Sequence, residues 1–230
     1  MIARPVLRAR PAFRPQDWVA ALRSAKALFR LGELARLAGH SEQAARQAAH
    51  RLVRRGWLTR VGKGLYANML RPEGPPTAEE AASVLYPPEY ISLSSALFAH
   101  GIADQAPHVL TCVTTNKTKR FRTGLGEIVY QHIKPPLFFG YSLEQGIAMA
   151  RPEKAALDFV YLELQNGRAP ALDEWNWHEL DLVRLRSWTR RYPGTVGEIL
   201  GRYAPKSVSP RRARATPHRR SKRSQAGVRR

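Results

Sequence analysis

At 230 residues the chain is long enough for one large domain or two small ones, and its 43% apolar content is enough for a folded core. A single cysteine, Cys112, excludes an internal disulfide and any multi-cysteine zinc site, and it fits a reducing cytoplasm. The net charge of +20 is unevenly spread: residues 1–70 hold 14 Lys/Arg against three acids, residues 71–205 hold 14 against 15, and residues 206–230 hold 10 against none.

In chain order, the Arg-rich opening 1–14 is broken by prolines and reads as a flexible basic arm. From Gln16 to Phe29, apolar residues at Trp18, Leu22, Ala25 and Phe29 follow helical spacing. Glu33–Ala38 predicts a short second helix, Gly39-His40 a tight turn, and Ser41 the N-cap of a third helix reaching Arg55. Trp57–Val61 and Leu65–Asn68 predict two strands joined at Gly62-Lys63-Gly64. Three helices followed by a hairpin is the order of a winged helix-turn-helix, expected over 15–70.

Residues 71–76 read as a linker by composition, and 77–205 as a mixed α+β domain. Within it, Thr77 and Glu80 form a capping box for a helix to Leu85, and Ser92 caps another that ends at Gly101. Strands are expected at Val109–Thr115, Ile128–Ile133 and Leu137–Tyr141. A helix opens at Pro152 with Leu157, Val160, Tyr161 and Leu164 buried, and two more are expected at about 179–191 and 195–203. After 205 the chain loses apolar periodicity, and 206–230 reads as a disordered Arg-rich tail.

The third helix carries the strongest chemical signal. Ala45, Ala49, Leu52 and Val53 form an apolar face, while Gln43, Arg46, Gln47, His50 and Arg54 form a polar stripe opposite it. Arg can bridge guanine and Gln can bridge adenine in the major groove, so Gln43, Arg46, Gln47 and His50 are candidates for base readout. Ser41, Arg54, Arg60 and Lys63 are candidates for phosphate contacts, which position without reading sequence. Lys117, Lys119, Arg120 and Arg122, around Phe121, form a basic loop and a candidate second contact. Double-stranded DNA is therefore the expected partner, with a dimer on DNA and a cytoplasmic location. No apolar run approaches the roughly eighteen residues of a transmembrane helix, and the tail lacks the bulky apolar face of a membrane-surface helix.

Catalytic signatures are lacking. There is no Asp/Glu-x-Lys triplet, no Asp-x-Asp, no Gly-Ser pair and no His-x-x-x-His, and Gly62-Lys63-Gly64 lacks the rest of a P-loop. No catalytic residue, cofactor or metal site is assigned. Lys154 and Asp158 read as an i,i+4 helix pair worth a few tenths of a kcal/mol, Glu153 as a favourable helix-start charge, and Cys112 as inert core. Ser92, Ser94 and Ser95 need no role beyond capping.

Several runs together resemble a known family. They are Glu33-Leu34-Ala35 with Gly39, Arg51–Gly56, Val61–Tyr66, Tyr90–Leu97 with Gly101-Ile102, and Pro152–Asp158. Their order and separation are similar to those of AbiEi-type antitoxins of type IV toxin–antitoxin (abortive phage infection) systems. The resemblance implies a bacterial protein that binds promoter repeats, represses its own operon through the helix-turn-helix, and counters a nucleotidyltransferase-like toxin through the second domain. The Arg-rich extension after Tyr203 departs from the family pattern. The alternative is a winged-helix regulator whose second domain senses a ligand or partner unrelated to toxins.

Overall fold

The computed structural model describes residues 14–39 and 41–205. The expected basic arm (apart from Arg14), His40 of the expected turn and the tail 206–230 lie outside the described residues.

The N-terminal part comprises α1 (Pro15–Arg23), β1 (Leu28–Arg30), α2 (Leu31–Ala38), α3 (Glu42–Arg54), β2 (Leu58–Gly62) and β3 (Leu65–Asn68). Here the expected helix 16–29 is corrected: it stops at Arg23, and Leu28–Arg30 becomes a strand antiparallel to β3. The competing force is tertiary. Asn68 is fully buried, and its amide nitrogen donates to the carbonyls of Leu22 and Lys26 at 2.7 and 3.2 Å, closing the end of α1. That cap, together with ladder pairing to β3, outweighs continuation of the helix.

The strands order as β1-β3-β2, and their alternate residues enter two different cores. Phe29, Leu58 and Tyr66 face Trp18, Leu22, Leu34, Ala49 and Leu52 of the three helices. Leu28, Val61, Leu65 and Ala67 face the other way, into a cluster shared with the second half of the chain.

That half comprises α4 (Ala78–Leu85), β4 (Glu89–Ile91), α5 (Leu93–Ala99), β5 (Leu110–Thr114), β6 (Lys119–Thr123), β7 (Gly126–His132), β8 (Tyr141–Glu144), β9 (Ile147–Ala150), α6 (Pro152–Gln165), α7 (Leu182–Thr189) and α8 (Gly194–Tyr203). The fold is α+β. A mixed six-stranded sheet, ordered β6-β7-β5-β4-β9-β8, has α5 to α8 on one face; α4 and the three-stranded sheet cover the other. Period-two alternation divides the strands accordingly: Tyr90 and Val113 face the helices, Ile91 and Cys112 face α4. Segment 71–76 is anchored at its start, where Arg71 donates to the Gly74 carbonyl at 3.0 Å and to the Glu80 carboxylate at 2.8 Å.

Other expectations are corrected here. Lys119–Thr123 is an edge strand rather than a loop, because its residues pair in register with Gly126–Tyr130. Leu137–Tyr141 is not a strand: Pro135–Leu137 forms a 3-10 turn, and the strand begins only at Tyr141. Ser92 sits at the N-cap position of α5 but makes no capping bond, since its hydroxyl donates instead to Asp158.

The largest correction concerns α6. Lys154 and Asp158 are not a surface pair; both are fully buried. The Asp158 carboxylate accepts from the Tyr90 and Ser92 hydroxyls and from the Tyr192 hydroxyl, each at 2.9 Å, as well as from the Lys154 ammonium. Lys154 also donates to the Tyr192 hydroxyl and lies over the rings of Tyr90, Phe139 and Tyr192. Burial pushes the Asp158 carboxyl up and the Lys154 ammonium down, and the opposite charge of each partner works against both shifts. Glu153 is also buried; it accepts the Asp181 backbone N–H at 2.9 Å and pairs with Arg184, so it fixes the start of α7.

A second buried carboxyl, Glu89, begins β4 beside Cys112. Its Oε2 has no hydrogen-bond partner among the described residues, and burial pushes its pKa up to about 7 against the hydrogen bond from the Cys112 thiol. Burial pushes the thiol up as well, reinforced by the Glu89 charge.

Two outcomes follow for stability. Lys154→Met or Asp158→Asn alone leaves the other partner's charge buried without its counter-charge, and each is expected to cost about 3–5 kcal/mol in urea unfolding. Glu89 holds a proton more tightly folded than unfolded, so its contribution to stability is full below its unfolded pKa of 4.5 and is lost as pH rises through about 7. Glu89→Gln is therefore expected to stabilise by up to about 3 kcal/mol near pH 8 and by little near pH 4.5; a difference independent of pH would refute the assignment.

Candidate nucleic-acid interface

Helix α3 projects its stripe because its other side is fully used. Ala45, Ala48, Ala49 and Leu52 are buried, three of them against α1 and α2. The helix starts cleanly: Ser41 Oγ accepts the Ala44 N–H at 3.3 Å, so the oxygen expected to meet phosphate also serves as the cap. Gln43, Arg46, Gln47, His50 and Arg54 are all exposed. At thirteen residues the helix is about 20 Å long, a rod that fits a groove about 12 Å wide.

Across from α3 lies the β2–β3 hairpin. Between the two runs a groove of about 760 Å³, lined by Leu31, Arg46, His50, Val53, Arg60, Lys63, Gly64 and Tyr66. The structure thus brings Arg46 and His50 of the helix to the same groove as Arg60 and Lys63 of the hairpin. Gln43, Gln47 and Arg54 lie on the open helix surface outside it. Gly64, with φ of 67°, allows the tight turn that lifts Lys63 to the tip. Tyr66, which belongs neither to the α3 stripe nor to the expected phosphate contacts, is a further lining residue: it pairs in register with Arg60 on β2. The alternation Leu65-Tyr66-Ala67 was the available signal, since it puts Tyr66 on the face turned away from the second half.

Among the described residues, the charges here are left without acidic partners. Arg46, Arg54 and Lys63 enter no ion pair among the described residues, and Arg60 makes only a 3.4 Å contact to its neighbour Gly62's carbonyl. The cations of β6 differ. Arg120 and Arg122 approach one carboxylate, Glu127, at 3.0 and 3.5 Å, and Lys119 lies over the rings of Tyr86 and Phe121. Lys117 is exposed at the start of that hairpin. The α3 side therefore presents free positive charge and amide groups together, chemistry suited to an anionic polymer carrying hydrogen-bonding edges. The β6 side presents cations already partly neutralised.

Among the described residues, no group of three or more His, Cys, Asp or Glu side chains could hold a metal ion. No helix among them is long and apolar enough to cross a membrane.

No curated protein matches the chain. Residues 19–68, from within α1 to the last residue of β3, match the family described as "Transcriptional regulator, AbiEi antitoxin". The α1–β3 region is thus similar to the AbiEi antitoxin transcriptional regulators.

Proposed function

We propose that the chain is a DNA-binding autorepressor and antitoxin that uses α3 as its reading helix and the β2–β3 hairpin as a wing. The observation carrying this reading is the stripe of free Arg and Gln side chains on α3, facing solvent across a groove from Arg60 and Lys63. Gln43, Arg46, Gln47 and His50 address base edges in the major groove. Ser41, Arg54, Arg60 and Lys63 grip phosphates, and each phosphate so neutralised releases counterions. Lys117, Lys119, Arg120 and Arg122 form a weaker second contact, because Glu127 already holds part of that charge. Repeats in the chain's own promoter would be read by two copies side by side, in the cytoplasm.

The antitoxin role is supported by the family of the α1–β3 region. A nucleotidyltransferase-like toxin as the countered partner is supported by the resemblance running through Tyr90–Leu97 and Pro152–Asp158. Neither run needs to touch the toxin for the reading to hold, since repression of the operon also limits toxin.

In gel-shift competition, Arg46→Ala with Gln47→Ala is expected to abolish preference for the promoter repeat over random duplex, at about 1–3 kcal/mol per lost bidentate contact. Retained preference would mean that another element reads the bases. Co-expression with the product of the adjacent reading frame tests the second role: growth arrest caused by that product alone should be relieved by this chain. Arrest that persists with both expressed would remove the antitoxin assignment.

A further inference from the structure

We infer that Gly124, in the turn of the β6–β7 hairpin, is a positioning residue for the wing, setting how far Arg60 and Lys63 stand from α3. The inference rests on the DNA-binding reading above and adds to it a contact from the second half of the chain.

Three observations meet at this turn. The Gly124 N–H donates to the Arg60 carbonyl at 3.0 Å, a direct backbone tie between the two sheets. It falls where the β2–β3 ladder is irregular, between Arg60 and Gly62, so this carbonyl is held from outside its own sheet. Second, a side chain would meet Thr59 head on. A Cβ on Gly124 would lie 2.1 Å from Thr59 Oγ1, 3.2 Å from Thr59 Cβ and 3.3 Å from Thr59 Cγ2. Third, the backbone of Gly124 does not itself require glycine: its φ is outside the left-handed region, unlike that of Gly126 at 120°. The approach of Thr59 alone is therefore the constraint, and a side chain there forces Thr59 to shift.

The turn cannot simply recede. Phe121 and Leu125, on either side of Gly124, pack into the same apolar cluster as Val61 and Leu65 of the wing. Thr59 and Arg60 are neighbours on β2 and so point to opposite faces of the strand. A push on Thr59 is transmitted to the strand that carries Arg60, which lines the groove with Arg46 and His50.

The test uses the full chain and its promoter repeat. Gly124→Ala is expected to unfold cooperatively yet show faster amide hydrogen exchange across residues 58–68. It should bind the repeat at least tenfold more weakly and reduce the slope of log K against log salt by about one to two, the share of the Arg60 and Lys63 phosphates. Preference for the repeat over random duplex should persist, because α3 is untouched. Adding Lys63→Ala to Gly124→Ala should cost little more. Thr59→Ala, which leaves the new methyl facing only a Cβ, should restore both exchange and salt slope.

Wild-type exchange and binding in Gly124→Ala would overturn the inference, as would full additivity with Lys63→Ala or no rescue by Thr59→Ala. Should Gly124→Ala not fold, the Thr59→Ala/Gly124→Ala pair decides: recovery of the fold without the wild-type salt slope overturns it. If the unaltered chain binds no duplex, the DNA-binding reading fails by itself, and the exchange comparison still decides whether Gly124 positions the wing.

Discussion

The structure depends on a small sheet that is buried on both faces. The three strands β1, β3 and β2 give alternate residues to the helical core on one side and to the core beneath the six-stranded sheet on the other. A strand buried on one face tolerates polar residues all along the other; here apolar residues line both faces, and the polar ones are confined to Arg30, Thr59, Arg60 and Asn68. A slip of one residue would exchange Leu28 with Phe29 and Leu65 with Tyr66 between cores of different shape. Asn68 helps to fix the register. It is fully buried at the end of β3, its side-chain nitrogen caps α1, and its side-chain Oδ1 accepts the Leu70 N–H at 3.1 Å. The orientation of α3 relative to the whole molecule follows from that register, since α3 packs on the helices that this sheet supports.

With most of both faces of the small sheet enclosed, the open polar groups of the N-terminal part gather on α3 and the β2–β3 hairpin. Its cations fall into two groups: some that join elements have acids beside them, and those of the α3 stripe and hairpin tip do not. Lys26 pairs with Glu33 at 2.5 Å and Arg71 with Glu80, each fixing a join between elements. Arg46, Arg54 and Lys63 have no such partner among the described residues. Leaving like charges together on one surface raises the energy of the free protein through self-repulsion, which is relieved when a polyanion arrives. This distinguishes the α3 side from β6, where Glu127 lowers the repulsion without any ligand.

What could be read in the sequence was what local physics determines. The Ser41 cap, the apolar face of α3, the glycine turn of the hairpin and the Thr77/Glu80 capping box all involve residues within a few positions of one another, and all appear in the structure. The failures came where distant residues decide. Phe29 continues the helical spacing set by Trp18 and Leu22, so nothing nearby shows that it pairs with Tyr66. Lys119–Thr123 alternates charge with bulk in a way that suits an edge strand, yet its four cations with Lys117 suggest a solvated loop equally well. The pairing with β7 settles it. Lys154 and Asp158 stand four apart, as surface ion pairs do. The contrary sign lay in Ala155, Ala156 and Leu157 between them, which leave α6 no solvated face at its start.

That buried pair also bears on what the second half of the chain can do. A carboxylate at work on a substrate needs an open lone pair and a path to it. Asp158 has neither: four donors from Tyr90, Ser92, Lys154 and Tyr192 surround it, and no part of it reaches solvent. The same four donors come from β4, the turn after it, α6 and the segment before α8. The network therefore ties the sheet to the helices at one point, and it satisfies a polar group that would otherwise oppose burial. The run Tyr90–Leu97 and the run Pro152–Asp158 meet at this point. The polar groups of both runs at this point are thus occupied in packing, not displayed on a surface.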